Sequence, residues 1–322
     1  MKLSYEGLKD KEAWQQAGTA LPKYDWKAMC EATKEAPVWV HFGAGNIFRG
    51  FIAGLQQRLL DQGLAKSGIV AAETFDYDII DKIYWPHDSM TLMVSLKPDG
   101  STQKEVIASI AQGVKADSSD KEQWEILKKV FENPALQMAS FTITEKGYAI
   151  SDIQGNLTKV VEEDMEQGPD RARHAMSVVA ALMFARFQAG AAPVALVSMD
   201  NCSHNGEKLR GSVLAIVKAW REKGLVPAEF EAYISDEERV SFPWSMIDKI
   251  TPRPAEVIEK QLADAGIADM APVITSRNTY IAPFVNAEIP QYLVVEDRFP
   301  NGRPALEKAG VYLTTRDTVN MT

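Results

Sequence analysis

The sequence lacks the features that mark secreted, membrane-spanning and nucleic-acid-binding proteins. Only two cysteines occur among 322 residues, Cys30 and Cys202, and they form no C-x-x-C or Cys/His spacing, so neither a disulfide framework nor a structural zinc site is indicated. No apolar run approaches the roughly 18 residues of a membrane span, and the first twenty residues lack the apolar core of a secretion signal. We therefore expect a cytoplasmic protein without a membrane partner.

A surplus of positive charge is also missing. Lysine and arginine number 35 against 44 aspartate and glutamate residues, which gives a formal net charge of −9 and a pI of about 5.1. Such a chain has no broad attraction for phosphate backbones, so nucleic acid is not an expected partner. Hydrophobic residues make up 46% and charged residues 25%, which is typical of a globular protein with a sizeable core.

The chain does contain an alternation of strand-like and helix-like segments. Residues 1–36 are polar and are expected to form an N-terminal arm that precedes the regular structure. VWVHF at 38–42 is typical of a strand buried on both faces, and a helical stripe follows from Ile47 to a C-cap at Gly63. Further strands are predicted at 68–74, 90–97, 104–110, 137–144, 193–198 and 291–296, and further helices at 76–84, 120–131, 170–188, 207–223, 227–238 and 254–265. This order predicts an α/β fold with a doubly wound, mostly parallel sheet and a few antiparallel additions.

The strongest local signal is GAGNIFRG at 43–50, which follows the first strand and opens a helix. Gly43 would permit a tight turn, Gly45 would let the backbone approach a pyrophosphate, and the helix amino end at Asn46 and Ile47 would offer free N–H groups. Phe48 replaces the third glycine of the usual fingerprint. Glycines that serve only the turn are therefore the alternative interpretation.

Two acids near the end of the second strand are candidates for a ribose contact. Glu73 and Asp76 lie 30 and 33 positions after Gly43, and either could accept from the adenosine 2′-hydroxyl. A carboxylate there repels a 2′-phosphate, and no arginine occurs between Arg58 and Arg171, so NAD is favoured over NADP. The alternative is that Asp76 only caps the following helix.

Two polar clusters, TEKGY at 144–148 and SMDN at 198–201, follow later strands. The ligand crevice of an open α/β sheet lies outside the carboxyl ends of its strands, so these clusters should face one site. The amide of Asn201 suits a substrate hydroxyl or carbonyl group. Loop polarity and helix capping are the alternative explanation.

Asp248 is a candidate in FPWSMIDKITP at 242–252. It lies between Ile247 and Ile250, where a buried carboxylate needs a partner or a shifted pKa. Such a group could steer proton transfer, or it could form a structural salt bridge with Lys249 or an arginine, and the spacing favours neither.

The remaining motifs point away from metal and hydrolase chemistry. No His-x-x-x-His, His-x-Glu or clustered carboxylates indicate a metal, and no Gly-x-Ser-x-Gly elbow indicates a serine hydrolase. His41 is expected to pack inside its buried strand. His204 is expected to be exposed in a loop.

Five segments, taken in order, resemble the mannitol dehydrogenase family of polyol-specific long-chain dehydrogenases, and within it the fructuronate reductases. They are HFGAGNIFRGF at 41–51, TITEKGY at 142–148, SMDNCSHNG at 198–206, FPWSMIDKITP at 242–252 and YLVVEDRFPNGRPALEKAGV at 292–311. The resemblance implies NAD-dependent interconversion of a secondary alcohol and a ketone on an open-chain sugar acid, fructuronate and mannonate, without a metal. A mannitol or arabinitol dehydrogenase is one alternative, and a non-catalytic NAD-binding module is another.

The resemblance also implies roles for individual residues. By motif position, Asn201 matches the family's active-site asparagine and Asp248 its aspartate near the catalytic centre. Thr144, Glu145 and Lys146 lie in the segment that borders the nicotinamide.

One family feature is not found in the sequence. The family's general base is a lysine in a K-x-x-x-x-N-x-x-H helix, and residues 1–322 contain no such pattern. The resemblance thus implies an NAD-binding Rossmann-like domain at 37–316, with 317–322 as the start of a missing helical domain. We expect NAD binding with little turnover, because a lysine base contributes roughly 10²- to 10⁴-fold. We also expect an exposed domain interface that promotes self-association.

Overall fold

The computed structural model describes residues 1–322, which form eleven α-helices and fifteen strands. The helices are α1 Lys11–Gln16, α2 Trp26–Glu35, α3 Ala53–Asp61, α4 Lys121–Glu132, α5 Thr144–Tyr148, α6 Lys159–Gln167, α7 Ala175–Gln188, α8 Asn205–Glu222, α9 Ala228–Ser235, α10 Glu256–Asp264 and α11 Arg316–Met321. The strands are β1 Thr19–Ala20, β2 Trp39–Phe42, β3 Ile69–Glu73, β4 Thr91–Leu96, β5 Thr102–Ile107, β6 Ile110–Lys115, β7 Met138–Phe141, β8 Val194–Ser198, β9 Val240–Ser241, β10 Ser245–Lys249, β11 Val273–Ile274, β12 Tyr280–Ile281, β13 Phe284–Glu288, β14 Gln291–Glu296 and β15 Tyr312–Thr314.

The principal sheet has six parallel strands in the order β6-β3-β2-β7-β8-β9. All four residues of β2 are buried, because apolar clusters cover both faces of the sheet. The chain runs from β2 outward to β3 on one side and later returns to β7 on the other, so the strand order reverses between β2 and β7. This confirms the prediction of a doubly wound parallel sheet and puts the expected ligand crevice at that reversal.

Smaller sheets supply the expected antiparallel additions. Strands β4 and β5 form an antiparallel hairpin within the sheet β1-β5-β4-β13. Strands β10, β14 and β15 form a third sheet, and β11 and β12 form a short antiparallel pair. No helix of the molecule is both long enough and apolar enough to cross a lipid bilayer.

The expectation that regular structure begins only after residue 36 is wrong. Helices α1 and α2 both lie in this segment, and Asp10 and Asp25 cap them by accepting from backbone N–H groups. Leu3 and Trp14 are fully buried in the cluster that covers the β4–β5 hairpin. A few large apolar side chains therefore fix this polar segment to the rest of the molecule.

The segment predicted as one strand at 104–110 is two strands in the structure. β5 ends at Ile107, and β6 begins at Ile110 in a different sheet, beside β3. Ala108 and Ser109 separate them, and the carbonyl oxygen of Ser109 accepts from the N–H of Ile69 at 2.8 Å. The chain crosses between the two sheets at this point, a change of partner that the alternation of residue types does not reveal.

The helix after the glycine segment also differs from the prediction in its first turns. Residues Phe48–Ile52 form a π-helical turn, and α3 continues from it to Asp61. The C-cap of α3 is Gln62, one residue before the predicted Gly63, which follows with φ of +72° and donates its N–H to the carbonyl of Leu60 at 3.1 Å.

Candidate functional site

Gly43 forms a tight corner directly after β2. Its φ is +111°, and a Cβ atom at this position would lie 2.1 Å from the carbonyl oxygen of Thr142, which follows β7. Only glycine allows the two loops to approach so closely. At Gly45, by contrast, a Cβ would meet no atom within 4 Å. The corner is therefore closed on the side of β7 and open at Gly45.

Three backbone N–H groups at this corner have no acceptor within the protein. They belong to Gly45, Asn46 and Ile47, at the amino end of the helix that continues into α3. Free N–H groups at a helix amino end, together with the helix dipole, attract anions. The geometry fits the predicted anion-binding role of these residues, and Gly43 lies behind them as the turn.

Glu73 fastens the corner to the end of β3. Its carboxylate accepts from the N–H of Ala44 at 2.9 Å and from those of Phe75 and Asp76, both at 3.0 Å. The Tyr84 hydroxyl donates to the Ala44 carbonyl at 2.9 Å. Burial raises the pKa of Glu73, and the three N–H donors oppose that rise. The structure thus gives Glu73 a role in holding the loop, which the sequence alone did not indicate.

Asp76 lies three residues after Glu73 and is also buried. One carboxylate oxygen accepts from the Thr275 hydroxyl at 2.6 Å, and the other has no hydrogen-bond partner. Arg277 comes close in space although it is distant in sequence, since its guanidinium lies 4.2 Å from the centroid of the Phe75 ring. An arginine is therefore present at this end of the sheet, although none occurs between Arg58 and Arg171 in the sequence.

Asp200 joins the loops that follow β7 and β8. Its carboxylate accepts from the N–H groups of Ile143 and Thr144, at 2.9 and 3.0 Å, and from the Tyr148 hydroxyl at 2.5 Å. Burial raises its pKa, and these donors counteract the effect. Thr144 adopts φ of +62°, an unfavourable conformation for a threonine, and the bonds to Asp200 hold it there.

The remaining residues predicted for this edge are exposed. Thr144, Glu145 and Lys146 lie in the single turn of α5, and Glu145 forms an ion pair of 2.7 Å with Lys208. The side chain of Asn201 makes no hydrogen bond within the protein. Both clusters lie at the carboxyl ends of adjacent strands, β7 and β8, on the same edge as the glycine corner. Their polar groups are thus available to a ligand.

The expectation that Asp248 is buried is wrong. Its side chain projects from β10 into solvent opposite Tyr292, and it forms neither a hydrogen bond nor an ion pair. Ile247 is buried but Ile250 is 52% exposed, so the apolar neighbours do not enclose the carboxylate. Strand β10 lies in the third sheet with one face open, and adjacent side chains on a strand point to opposite faces. Lys249 instead donates to Gln291, at 3.1 Å.

His41 and His204 lie where the sequence predicts. His41 is buried, stacks on Phe48 with ring centroids 4.2 Å apart, and has a pKa lowered well below its usual range by burial. His204 is exposed and stacks on Trp244.

Comparison with known proteins identifies the family to which the chain belongs. A family model described as the mannitol dehydrogenase Rossmann domain matches residues 38–308. The chain belongs to the mannitol dehydrogenase family. The resemblance of the five sequence segments is thereby confirmed.

The chain's relatives include a D-mannonate oxidoreductase and several polyol dehydrogenases. The D-mannonate oxidoreductase of Thermotoga maritima is 51% identical over 99% of this chain and 59% of its own length. The polyol:NADP oxidoreductase of Gluconobacter oxydans is 30% identical over 86% of this chain and 53% of its own. The structure of Pseudomonas fluorescens mannitol 2-dehydrogenase, in a ternary complex with NAD and D-mannitol, superposes with a TM-score of 0.77 at 27% identity and covers 99% of this chain and 59% of that one. The chain thus spans between half and three fifths of the length of these relatives.

In this member of the mannitol dehydrogenase family, one residue that sequence analysis missed connects the parts of the site. Asn205 is buried, and its amide NH₂ donates to the carbonyl oxygens of Ser198 and Asp200, at 3.2 and 3.0 Å. It also bonds the backbone and hydroxyl of Ser245, the first residue of β10. Asn205 therefore ties the end of β8 to the start of β10. Asn205 is the first residue of α8, directly after a loop, and its sequence context indicated no more than the start of a helix.

Proposed function

We propose that the chain binds NAD, with the diphosphate against the N–H groups of Gly45, Asn46 and Ile47. The observation that carries this proposal is the set of three N–H groups without acceptors at an open corner, located where the order of the principal sheet reverses. The Rossmann family model and the NAD-bound Pseudomonas fluorescens relative support it.

We propose a cytoplasmic location for the protein. The two cysteines form no disulfide, which agrees with this location.

The preference for NAD over NADP is part of the proposal. The buried carboxylates of Glu73 and Asp76 lie at the end of β3, where the adenosine ribose of a dinucleotide is held in this fold. Of the two, Asp76 has a free oxygen, which makes it the better candidate for the 2′-hydroxyl. Binding of NADPH as tight as that of NADH would contradict this preference.

We further propose that the enzyme interconverts a secondary alcohol and a ketone on an open-chain sugar acid, fructuronate and mannonate. The 51% identity to D-mannonate oxidoreductase favours this substrate. A polyol such as mannitol is the second candidate, since the mannitol 2-dehydrogenase of Cereibacter sphaeroides is 30% identical over 91% of the chain. Asn201 would hydrogen-bond the substrate oxygen with its free amide, and Asp248 would face the substrate from β10.

The chain's own activity follows from the residues it contains. Proton transfer to or from the alcohol needs a general base, and the lysine pattern that supplies it in the family does not occur in residues 1–322. We expect binding of NADH with turnover of mannonate at least about 100-fold below that of an ordinary dehydrogenase. Ordinary steady-state rates on mannonate or mannitol would contradict this part of the proposal.

The direct test of NAD binding is a titration of NADH fluorescence with the wild-type chain and with Gly45→Val. The new side chain would occupy the open space at the corner, so we expect folding to be retained and NADH binding to be lost. Gly54→Ala is the matched control, because a Cβ at this glycine in α3 also meets no atom but lies away from the corner. A wild-type chain that does not bind NADH, or a Gly45→Val variant that binds it normally, would overturn the proposal.

A further inference from the structure

A buried cation without a counter-ion lies in the first turn behind the glycine corner. The guanidinium of Arg49 is completely buried and forms no ion pair with a carboxylate. Its Nη1 donates to the carbonyl of Ala282 at 2.8 Å and its Nη2 to Oδ1 of Asn46 at 3.0 Å, while Nε has no acceptor. Burial lowers the pKa of Arg49 to about 10, so it is still charged at neutral pH. Buried charges are costly without a partner, and proteins normally supply one.

Arg49 also determines which way the amide of Asn46 faces. A guanidinium carries donors only, so the Asn46 atom that it contacts must be the carbonyl oxygen. The amide NH₂ is therefore held on the other side, and it makes no hydrogen bond within the protein. It belongs to a half-buried residue that lies between Gly45 and Ile47 in the chain, and the backbone N–H groups of those two residues also have no acceptor. The corner thus presents side-chain donors in addition to its backbone donors.

We propose that Arg49 is a positioning residue for the diphosphate of a dinucleotide. It holds the oxygen of Asn46 so that the NH₂ stays free to donate to the anion, and in the complex the diphosphate balances the positive charge of the buried guanidinium. The inference deepens the proposed function and depends on it, because it assumes that the anion at this corner is a diphosphate. The rival explanation is that Arg49 only ties the helix to the loop at Ala282.

The variant Asn46→Asp tests whether the NH₂ of Asn46 contacts the anion, which the inference requires. Aspartate keeps an oxygen for Arg49 but replaces the outward NH₂ with a second oxygen, which repels phosphate. We expect a thermal midpoint equal to or above that of the wild type and NADH binding at least about tenfold weaker. Asn156→Asp, in an exposed loop, makes the same change in net charge and should leave the affinity unchanged. A folded Asn46→Asp variant with wild-type affinity for NADH would overturn the inference.

A second pair of variants tests the role of Arg49 itself. This pair also tests the inference if Asn46→Asp folds poorly. Arg49→Lys retains a cation that can only donate, so we expect NADH affinity within about threefold of wild type. Arg49→Gln is neutral and can accept from Asn46, which lets the amide turn over, and its affinity should fall at least about tenfold. Equal affinities of the two variants would overturn the inference. Absence of NADH binding by the wild-type chain would contradict the proposed function instead.

Discussion

At the scale of single residues, His41 shows how burial in the principal sheet sets a side chain's chemistry. Its Nδ1 lies 2.6 Å from the Ser140 hydroxyl and its Nε2 lies 2.7 Å from the Thr142 hydroxyl. Burial lowers its pKa well below the usual range, whereas the unfolded chain binds the proton near pH 6.5. Around and below pH 6.5 the unfolded state therefore binds more protons than the folded state. The stability that comes from a neutral His41 is fully present well above pH 6.5 and is lost as the pH falls through this value.

We predict that His41→Gln makes the free energy of unfolding less sensitive to acid. Between about pH 7.5 and 5.5, His41 alone should remove up to about 1.4 kcal/mol of stability per pH unit from the wild type. The variant should lose this component and keep those of His87 and His174, whose pKa values burial also lowers. Urea unfolding at the two pH values measures the effect, and identical pH slopes for the two proteins would contradict it.

Individual site residues were predictable where backbone geometry demands a residue type. Gly43 follows from the strand-to-helix turn, since its φ is +111° and a Cβ there would lie 2.1 Å from the carbonyl oxygen of Thr142. The three N–H bonds to Glu73 were not predictable, since they join loops from different strands. Asp248 was misjudged because a strand's sequence does not show which of its faces another layer covers.

At the scale of elements, strands buried on both faces were the easiest to predict. The strands β2, β3, β7 and β8 are short continuous apolar runs, and the structure has them within two residues of the predicted bounds, except that β7 ends at Phe141. The strand β13 was missed because Pro283 precedes it and polar residues interrupt it. Its position is determined by parallel pairing with β4, a contact nearly 200 residues distant in sequence.

The joint between the π-helical turn and α3 leads to a prediction about Gly54. Its added Cβ would meet no atom within 4 Å, and alanine is the better helix former. We expect Gly54→Ala to raise the free energy of unfolding by about 0.5 to 1 kcal/mol in urea titrations. Gly211→Ala, inside α8 and equally unobstructed, is the matched comparison. Stabilisation by Gly211→Ala alone would show that the π-helical turn requires glycine at 54.

At the scale of the whole molecule, several large apolar side chains of the third sheet and its neighbours are exposed. Ile250 is 52% exposed and Tyr312 63%, and the Tyr312 ring lies 5.5 Å from that of Tyr292. Ile289 adjoins Ile250, because the N–H of the preceding residue donates to the Ile250 carbonyl at 3.1 Å. Several large apolar side chains exposed on one sheet and the segments beside it favour association between molecules.

We therefore predict that the chain self-associates through this sheet. Sedimentation velocity over a range of concentrations should show an average mass that rises above 35.6 kDa. Tyr312→Lys should shift the distribution toward monomer, whereas Ile153→Lys, at an isolated and fully exposed turn, should not. A monomer at every concentration, or equal effects of the two substitutions, would contradict the prediction.

The amide of Asn205 has a mechanical consequence. Its hydrogen bonds connect the principal sheet to the third sheet, because they join the end of β8 and the residue Asp200 to the start of β10. A hinge between these sheets would break several buried hydrogen bonds at once, so we expect the ends of β8 and β10 to move as one unit. Asn201 follows β8 and Asp248 lies in β10, so we expect the distance between them to change little when a ligand binds.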